Sequence, residues 1–88
     1  MAPYKFGSND VYLDGDVVFC VVHGLPSLTA TKEYLALVEE VAKEHGQVLL
    51  LTDVTKGFGM TPETRRYATD WSRKNSVVAG AIFGAGAA

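Results

Sequence analysis

Residues 48–83 read VLLLTDVTKGFGMTPETRRYATDWSRKNSVVAGAIF. The run Val48–Leu51 is apolar throughout, and so is Val77–Phe83 apart from its small residues Ala79, Gly80 and Ala81. Runs of this length fit strands covered on both faces. Between them, Thr61-Pro62-Glu63 supplies a capping hydroxyl, a proline at the first helical position and an acid just inside. That order starts a helix. Tyr67, Ala68 and Trp71 then recur at helical spacing, while Arg66, Asp70 and Lys74 stand four residues apart on the other side. Strand, helix and strand in this order predict two parallel neighbours joined by a right-handed crossover.

Working back toward the amino terminus, His45-Gly46 reads as the exit of an earlier helix, with glycine free to take a left-handed conformation. Ser27 or Thr29 is its expected cap, and Tyr34, Leu35, Val38, Val41 and Ala42 form its apolar stripe. Before it, Val17–Val22 is another unbroken apolar run, preceded by the turn Asp14-Gly15-Asp16. Tyr4–Phe6 and Val11–Leu13 alternate, with Gly7–Asp10 as a break between them. The predicted strands are thus 4–6, 11–13, 17–22, 48–52 and 77–83, and the predicted helices 28–45 and 62–75. Together they form a single domain over 1–88. The fold class is α/β: a small mixed sheet packed with helices, the N-terminal hairpin contributing the antiparallel part. Two helices are few to cover both faces of three apolar strands, which predicts self-association into a homo-oligomer.

Length and composition narrow the function. The chain has 88 residues, 48% apolar and 20% charged, enough for one core and too apolar for disorder. A net charge of −2 gives no electrostatic support for nucleic-acid binding. No apolar run approaches the ~20 residues of a membrane span, and no secretory leader is expected. One cysteine excludes an internal disulfide and fits a reducing, cytoplasmic setting.

The chemistry-bearing residues each have a plain structural reading. Asp53, at the expected carboxyl end of a strand, lacks a second carboxylate, His or Cys nearby in sequence and reads as a loop-capping acid. His23 and His45 have no third ligand, so no metal is predicted. Cys20 sits in an apolar run and reads as a packed, inert thiol. No serine stands in a nucleophile elbow, and no catalytic residue or cofactor is expected. Val54–Met60 reads as a loop, and its glycines, Gly57 and Gly59, lead into the second helix in neither a phosphate-loop nor a dinucleotide pattern. It places Lys56, Phe58, Met60, Thr61 and Arg65 close together as candidate partner-contacting residues. Tyr34, Tyr67 and Trp71 are the candidate lining of an apolar pocket between sheet and helices.

The segments Val48–Thr55, Phe58–Ala68, Trp71 and Val77–Gly84, with Gly24, resemble the STAS superfamily, and within it the SpoIIAA-like group of small bacterial proteins. The resemblance covers nearly the whole chain and rests mostly on fold-forming positions. It implies a mixed sheet with helices packed on it and a non-enzymatic, regulatory protein-binding module. Anti-anti-sigma members of the family bind a kinase-type anti-sigma factor and are switched by phosphorylation at the start of the helix after this strand. The matching position is Thr61, the possible phosphoacceptor, with an anti-sigma-type regulator as the implied partner. Where the family has Asp-Ser-Ser/Ala-Gly, this chain has Met60-Thr61-Pro62-Glu63, without the acceptor Ser and its Gly. Family members also continue past the final strand with a further helix, which the sequence lacks. The lipid-carrying SEC14-like fold is similar in topology and supports the alternative: a small-ligand or lipid-binding domain.

Overall fold

A computed structural model describes residues 4–57, 59–75 and 78–84. The chain runs β1 (Tyr4–Phe6), β2 (Asn9–Asp14), β3 (Val17–Gly24), α1 (Leu28–His45), β4 (Val48–Gly57), α2 (Pro62–Lys74) and β5 (Val78–Phe83). The strands form one sheet in the order β1-β2-β3-β4-β5. β1, β2 and β3 pair antiparallel, whereas β3, β4 and β5 pair parallel. The small mixed α/β sheet expected from the sequence is therefore the fold.

Local chemistry accounts for the element ends. Gly15 takes φ +60° in the tight turn joining β2 to β3. Ser27 caps α1, its hydroxyl accepting from the Ala30 amide at 3.0 Å. Gly46 closes that helix in the left-handed region, at φ +79°. Thr61 caps α2 with Pro62 in the first turn, and Asn75 ends it, donating from its side chain to the Trp71 carbonyl at 2.7 Å.

The core lies on one face of the sheet. Val11, Val18, Cys20, Val22 and Val48 point into it, met by Leu35, Val38 and Val41 of α1 and by Trp71 of α2. The two helices touch through Lys32, which sits 5.3 Å over the Tyr67 ring, and through the Trp71 indole, which donates to Glu39.

Several expectations need correction. β2 and β3 extend beyond 11–13 and 17–22. β4 runs on to Gly57, well past residue 52, because a bulge after Asp53, opposite Val22, lets Lys56 pair with His23 and Gly57 with Gly24. Lys56 and Gly57 therefore belong to a strand, where the sequence suggested a loop. Helix α2 stops at Lys74, one residue before the expected end. Val77, the expected first residue of the last strand, lies outside the described residues. The apolar runs of β3 and β4 also do not mean cover on both sides. Val17, Phe19 and Val21 are only half-buried, and Leu49 is 38% exposed. The four-residue spacing of Arg66, Asp70 and Lys74 suits charge pairing along the helix, but among the described residues the ion pairs are those of Asp10 with Lys5 and His23.

Candidate functional site: the carboxyl end of the parallel strands

The turn from β4 into α2 carries most of the residues that the sequence singled out. Thr61 is half-buried, and its hydroxyl has two duties: it accepts from the Thr64 amide at 3.2 Å and donates to the Thr64 hydroxyl at 2.9 Å. Thr64 is almost fully buried, so the cap is anchored to the protein interior. The Arg65 amide donates to the Thr61 carbonyl at 2.9 Å and starts the helical ladder. Gly59 takes φ +100°, a conformation that favours glycine, and turns the chain toward the cap. Met60 is 37% exposed, and the Arg65 side chain is exposed as well. The junction thus presents a thioether and a guanidinium beside a helix N-terminus. Phe58, the remaining residue expected here, lies outside the described residues.

Lys56 is set apart from this group. It pairs in register with His23, whose imidazole Nε2 is 3.3 Å from Asp10 Oδ2. Directly paired residues point to one side of a sheet. Lys56 therefore belongs with His23 and Asp10 on the face opposite the helices, at its carboxyl end. His23 is also the anchor of the β1–β2 turn. Its amide donates to Asn9 Oδ1 at 3.0 Å, and its carbonyl accepts from the Ser8 hydroxyl at 2.8 Å. The Lys5 ammonium beside Asp10 holds that carboxyl below the usual carboxylate range, and the same contact raises the Lys5 pKa. Sequence reading took Gly7–Asp10 as a plain break and missed this staple. The available signal was the alternation Asn9-Asp10-Val11-Tyr12-Leu13, which extends the strand back to Asn9.

Asp53 does not end its strand. Its Oδ1 accepts from the Thr55 amide at 2.9 Å, two residues on, which stabilises the irregularity in β4. Hydrogen bonds from Thr55, hydroxyl first and then amide, hold its pKa below the ordinary value. Gly84, at φ +85°, closes over the same spot: a Cβ there would collide with Thr55 Oγ1. His45 is exposed in the last turn of α1, and Cys20 is 3% exposed in the core, where burial pushes its thiol up to about 11.

The three aromatic residues expected to share a pocket are divided. Tyr67 and Trp71 line a cleft of about 600 Å³ between α1 and α2, with Glu39, Lys43, Asp70 and Lys74 at its rim. Tyr34 is absent from that lining. It packs edge-on against Phe6, ring centroids 6.2 Å apart, and burial raises its phenol pKa. Core-facing Tyr34 and flank-facing Lys32 and Glu39 follow different sides of α1, so helical spacing alone did not separate them. Among the described residues, no group of three or more His, Cys, Asp and Glu side chains is placed to hold a metal ion. No helix among them is long and apolar enough to cross a membrane.

No family model matches the chain, and no curated protein matches it. A solved crystal structure of a protein named Mglu superposes on 82% of this chain with a TM-score of 0.60 at 15% sequence identity. The chain spans 18% of the length of that protein. At this identity the likeness concerns the fold: a small α/β sheet carrying its two helices on one face.

Proposed function

We propose that the chain is a non-enzymatic regulatory module that binds another protein through the turn from β4 into α2, in the manner of the STAS and SpoIIAA-like proteins its sequence resembles. The observation that carries this reading is the composition of the turn itself. Met60 and Arg65 stand exposed on a backbone made rigid by the Thr61–Thr64 cap. An exposed apolar side chain beside an arginine on a fixed scaffold suits a protein contact, because aromatic, Met and Arg residues are enriched in such interfaces. The Thr61 hydroxyl is already a donor and an acceptor within the cap. Modification there would exchange those bonds for a phosphate at a helix N-terminus, changing the surface without removing negative-charge stabilisation.

The test is photo-crosslinking in cells. A photoreactive residue at Met60 is expected to trap a discrete protein, with the adduct lost on Arg65→Glu. The same probe at the exposed Glu40, on α1, is expected to trap none. Equal labelling from both positions, or none from Met60, overturns the reading.

A second reading has its own support in the cleft floored by Tyr67 and Trp71. Two aromatic rings rimmed by two lysines and two acids suit a small amphipathic molecule. Native mass spectrometry of protein taken directly from cells is expected to show a bound molecule that Tyr67→Ala loses. An unliganded mass for the wild type removes this reading and leaves the first one standing.

A further inference from the structure

The cleft between α1 and α2 carries a charge layout set by the direction of the helices. Each helix joins two parallel strands, so α1 and α2 run the same way. Their contacts advance together: Lys32 lies over Tyr67, and further along both helices Glu39 meets Trp71. On the cleft side each helix has an acid followed four residues later by a lysine, Glu39 with Lys43 and Asp70 with Lys74. In antiparallel helices each acid would face a lysine across the cleft. Here the two acids share one level, and the two lysines stand a turn further on, about 6 Å along the axis at ~1.5 Å per residue. The cleft is therefore dipolar along its length.

Among the described residues, none of these four charges is held in an ion pair. Glu39 is half-buried and accepts from the Trp71 indole through Oε1, while Asp70, Lys43 and Lys74 are exposed. The two helix C-termini lie at the lysine level, where Gly46 and Asn75 line the cleft. Each terminus carries about half a negative charge, about one in all, against two full positive charges, so that level stays positive. On the other side of the acids, Lys32 and Arg66 border a second hollow of about 210 Å³. The cleft on the Lys43 and Lys74 side, at about 600 Å³, is the one with room for a ligand of both charges.

We propose that this cleft takes a short peptide zwitterion, dipeptide in size and with an apolar side chain. The inference rests on the small-molecule reading of the cleft and adds the class of ligand. The ammonium would lie between Glu39 and Asp70, the carboxylate between Lys43 and Lys74, and the side chain against Tyr67 and Ala42. Length selects among zwitterions. The two charges of a single α-amino acid flank one Cα, within about 3 Å of each other. Those of an extended dipeptide stand about 6–7 Å apart at ~3.3–3.6 Å per residue, which matches the step from acids to lysines. These charges border solvent, so added salt weakens the binding.

Isothermal titration calorimetry at neutral pH tests it, with alanyl-phenylalanine, its N-acetyl form and its C-terminal amide as probes. The parent dipeptide is expected to bind. Blocking either terminus should weaken binding about three- to tenfold, the worth of two exposed ion pairs. Asp70→Asn should weaken the parent and leave the acetylated form unchanged, and Lys74→Gln should weaken the parent and leave the amide unchanged, both with the wild-type circular dichroism spectrum. Blocked forms as tight as the parent, variants that affect parent and blocked form alike, or a parent that does not bind up to about 1 mM overturn the proposal. The cleft reading is decided separately: a cell-derived molecule lost on Tyr67→Ala in native mass spectrometry keeps it standing when the dipeptide fails.

Discussion

The Trp71 indole nitrogen donates to Glu39 Oε1 at 2.6 Å, and this contact joins the two helices on their shared flank. Trp71 is 7% exposed, so its ring fills the core while its N–H reaches a carboxylate at the cleft rim. Trp71→Phe keeps most of the apolar volume and removes the donor. It should lower unfolding stability by about 1.5–3 kcal/mol, as for a hydrogen bond to a charged group. Trp71→Ala should cost about 3–5 kcal/mol because it also leaves a cavity. Urea denaturation followed by circular dichroism reads both, and a Trp71→Phe variant as stable as the wild type would show that the indole N–H is unimportant.

Gly84 and Gly15 separate backbone strain from crowding. Both have positive φ, at +85° and +60°. A Cβ at Gly15 meets nothing within 4 Å, whereas one at Gly84 would collide with the Thr55 hydroxyl and backbone nitrogen. Gly15→Ala should cost about 1–2 kcal/mol for the left-handed conformation alone. Gly84→Ala should cost about 1–3 kcal/mol more, since the end of β5 must move off the irregular stretch of β4. Equal losses in the same denaturation assay would show that β5 ends elsewhere.

The sequence showed α1 almost to the residue because its signals are local. Ser27 and Gly46 bound a stripe of apolar residues, and none of these depends on a distant part of the chain. β4 was legible only in its first half. Its second half, Val54–Gly57, has no apolar run and contains a glycine, so it reads as a loop. It remains a strand because His23 and Gly24 supply pairing partners and the Asp53 side chain holds the bulge. The division of Tyr34 from Tyr67 and Trp71 was hidden for a related reason. Helical spacing places residues on a stripe but does not say which neighbouring element each edge of the stripe meets. Likewise, an apolar run in β3 records which side chains are apolar, while the cover over each face is decided by where both helices pack.

Asp10 and Asp53 make stability sensitive to acid. The native pKa of Asp10 is lowered mainly by Lys5, and that of Asp53 mainly by the Thr55 hydroxyl. A lowered native pKa contributes stability that is complete above about pH 4, the unfolded value, and is lost as the pH falls through the native value. Carboxyl carbon NMR titration should therefore place both midpoints below the usual carboxylate range. Lys5→Met should raise the Asp10 midpoint and leave Asp53 where it was. A Lys5→Met titration in which Asp10 does not move would refute the pairing.

Cys20 should be inert in the native protein. Its pKa is pushed up to about 11, chiefly by burial, so the native state favours the neutral thiol. This preference contributes stability below about pH 9 and loses it as the pH rises through about 11. Iodoacetamide at pH 8 should label Cys20 at least ~100-fold more slowly in the folded protein than in guanidinium, because thiolate and access are both scarce. Labelling at the unfolded rate, with the circular dichroism spectrum intact, would place Cys20 outside the core.

Thr61 separates capping from docking. Thr61→Ala removes the acceptor of the Thr64 amide and should cost about 0.5–2 kcal/mol. Thr61→Ser keeps the cap and should be close to neutral. Thr61→Asp keeps an acceptor and adds negative charge at a helix N-terminus, so its stability should lie within about 0.5 kcal/mol of the wild type. If the β4–α2 turn is the docking surface, the aspartate variant should nevertheless reduce crosslinking from Met60, because the new charge stands beside Arg65 where a partner would meet it. Thermal unfolding and the crosslinking yield, measured on the same three variants, distinguish the two roles. Yields that merely follow stability would mean that Thr61 acts only as a cap.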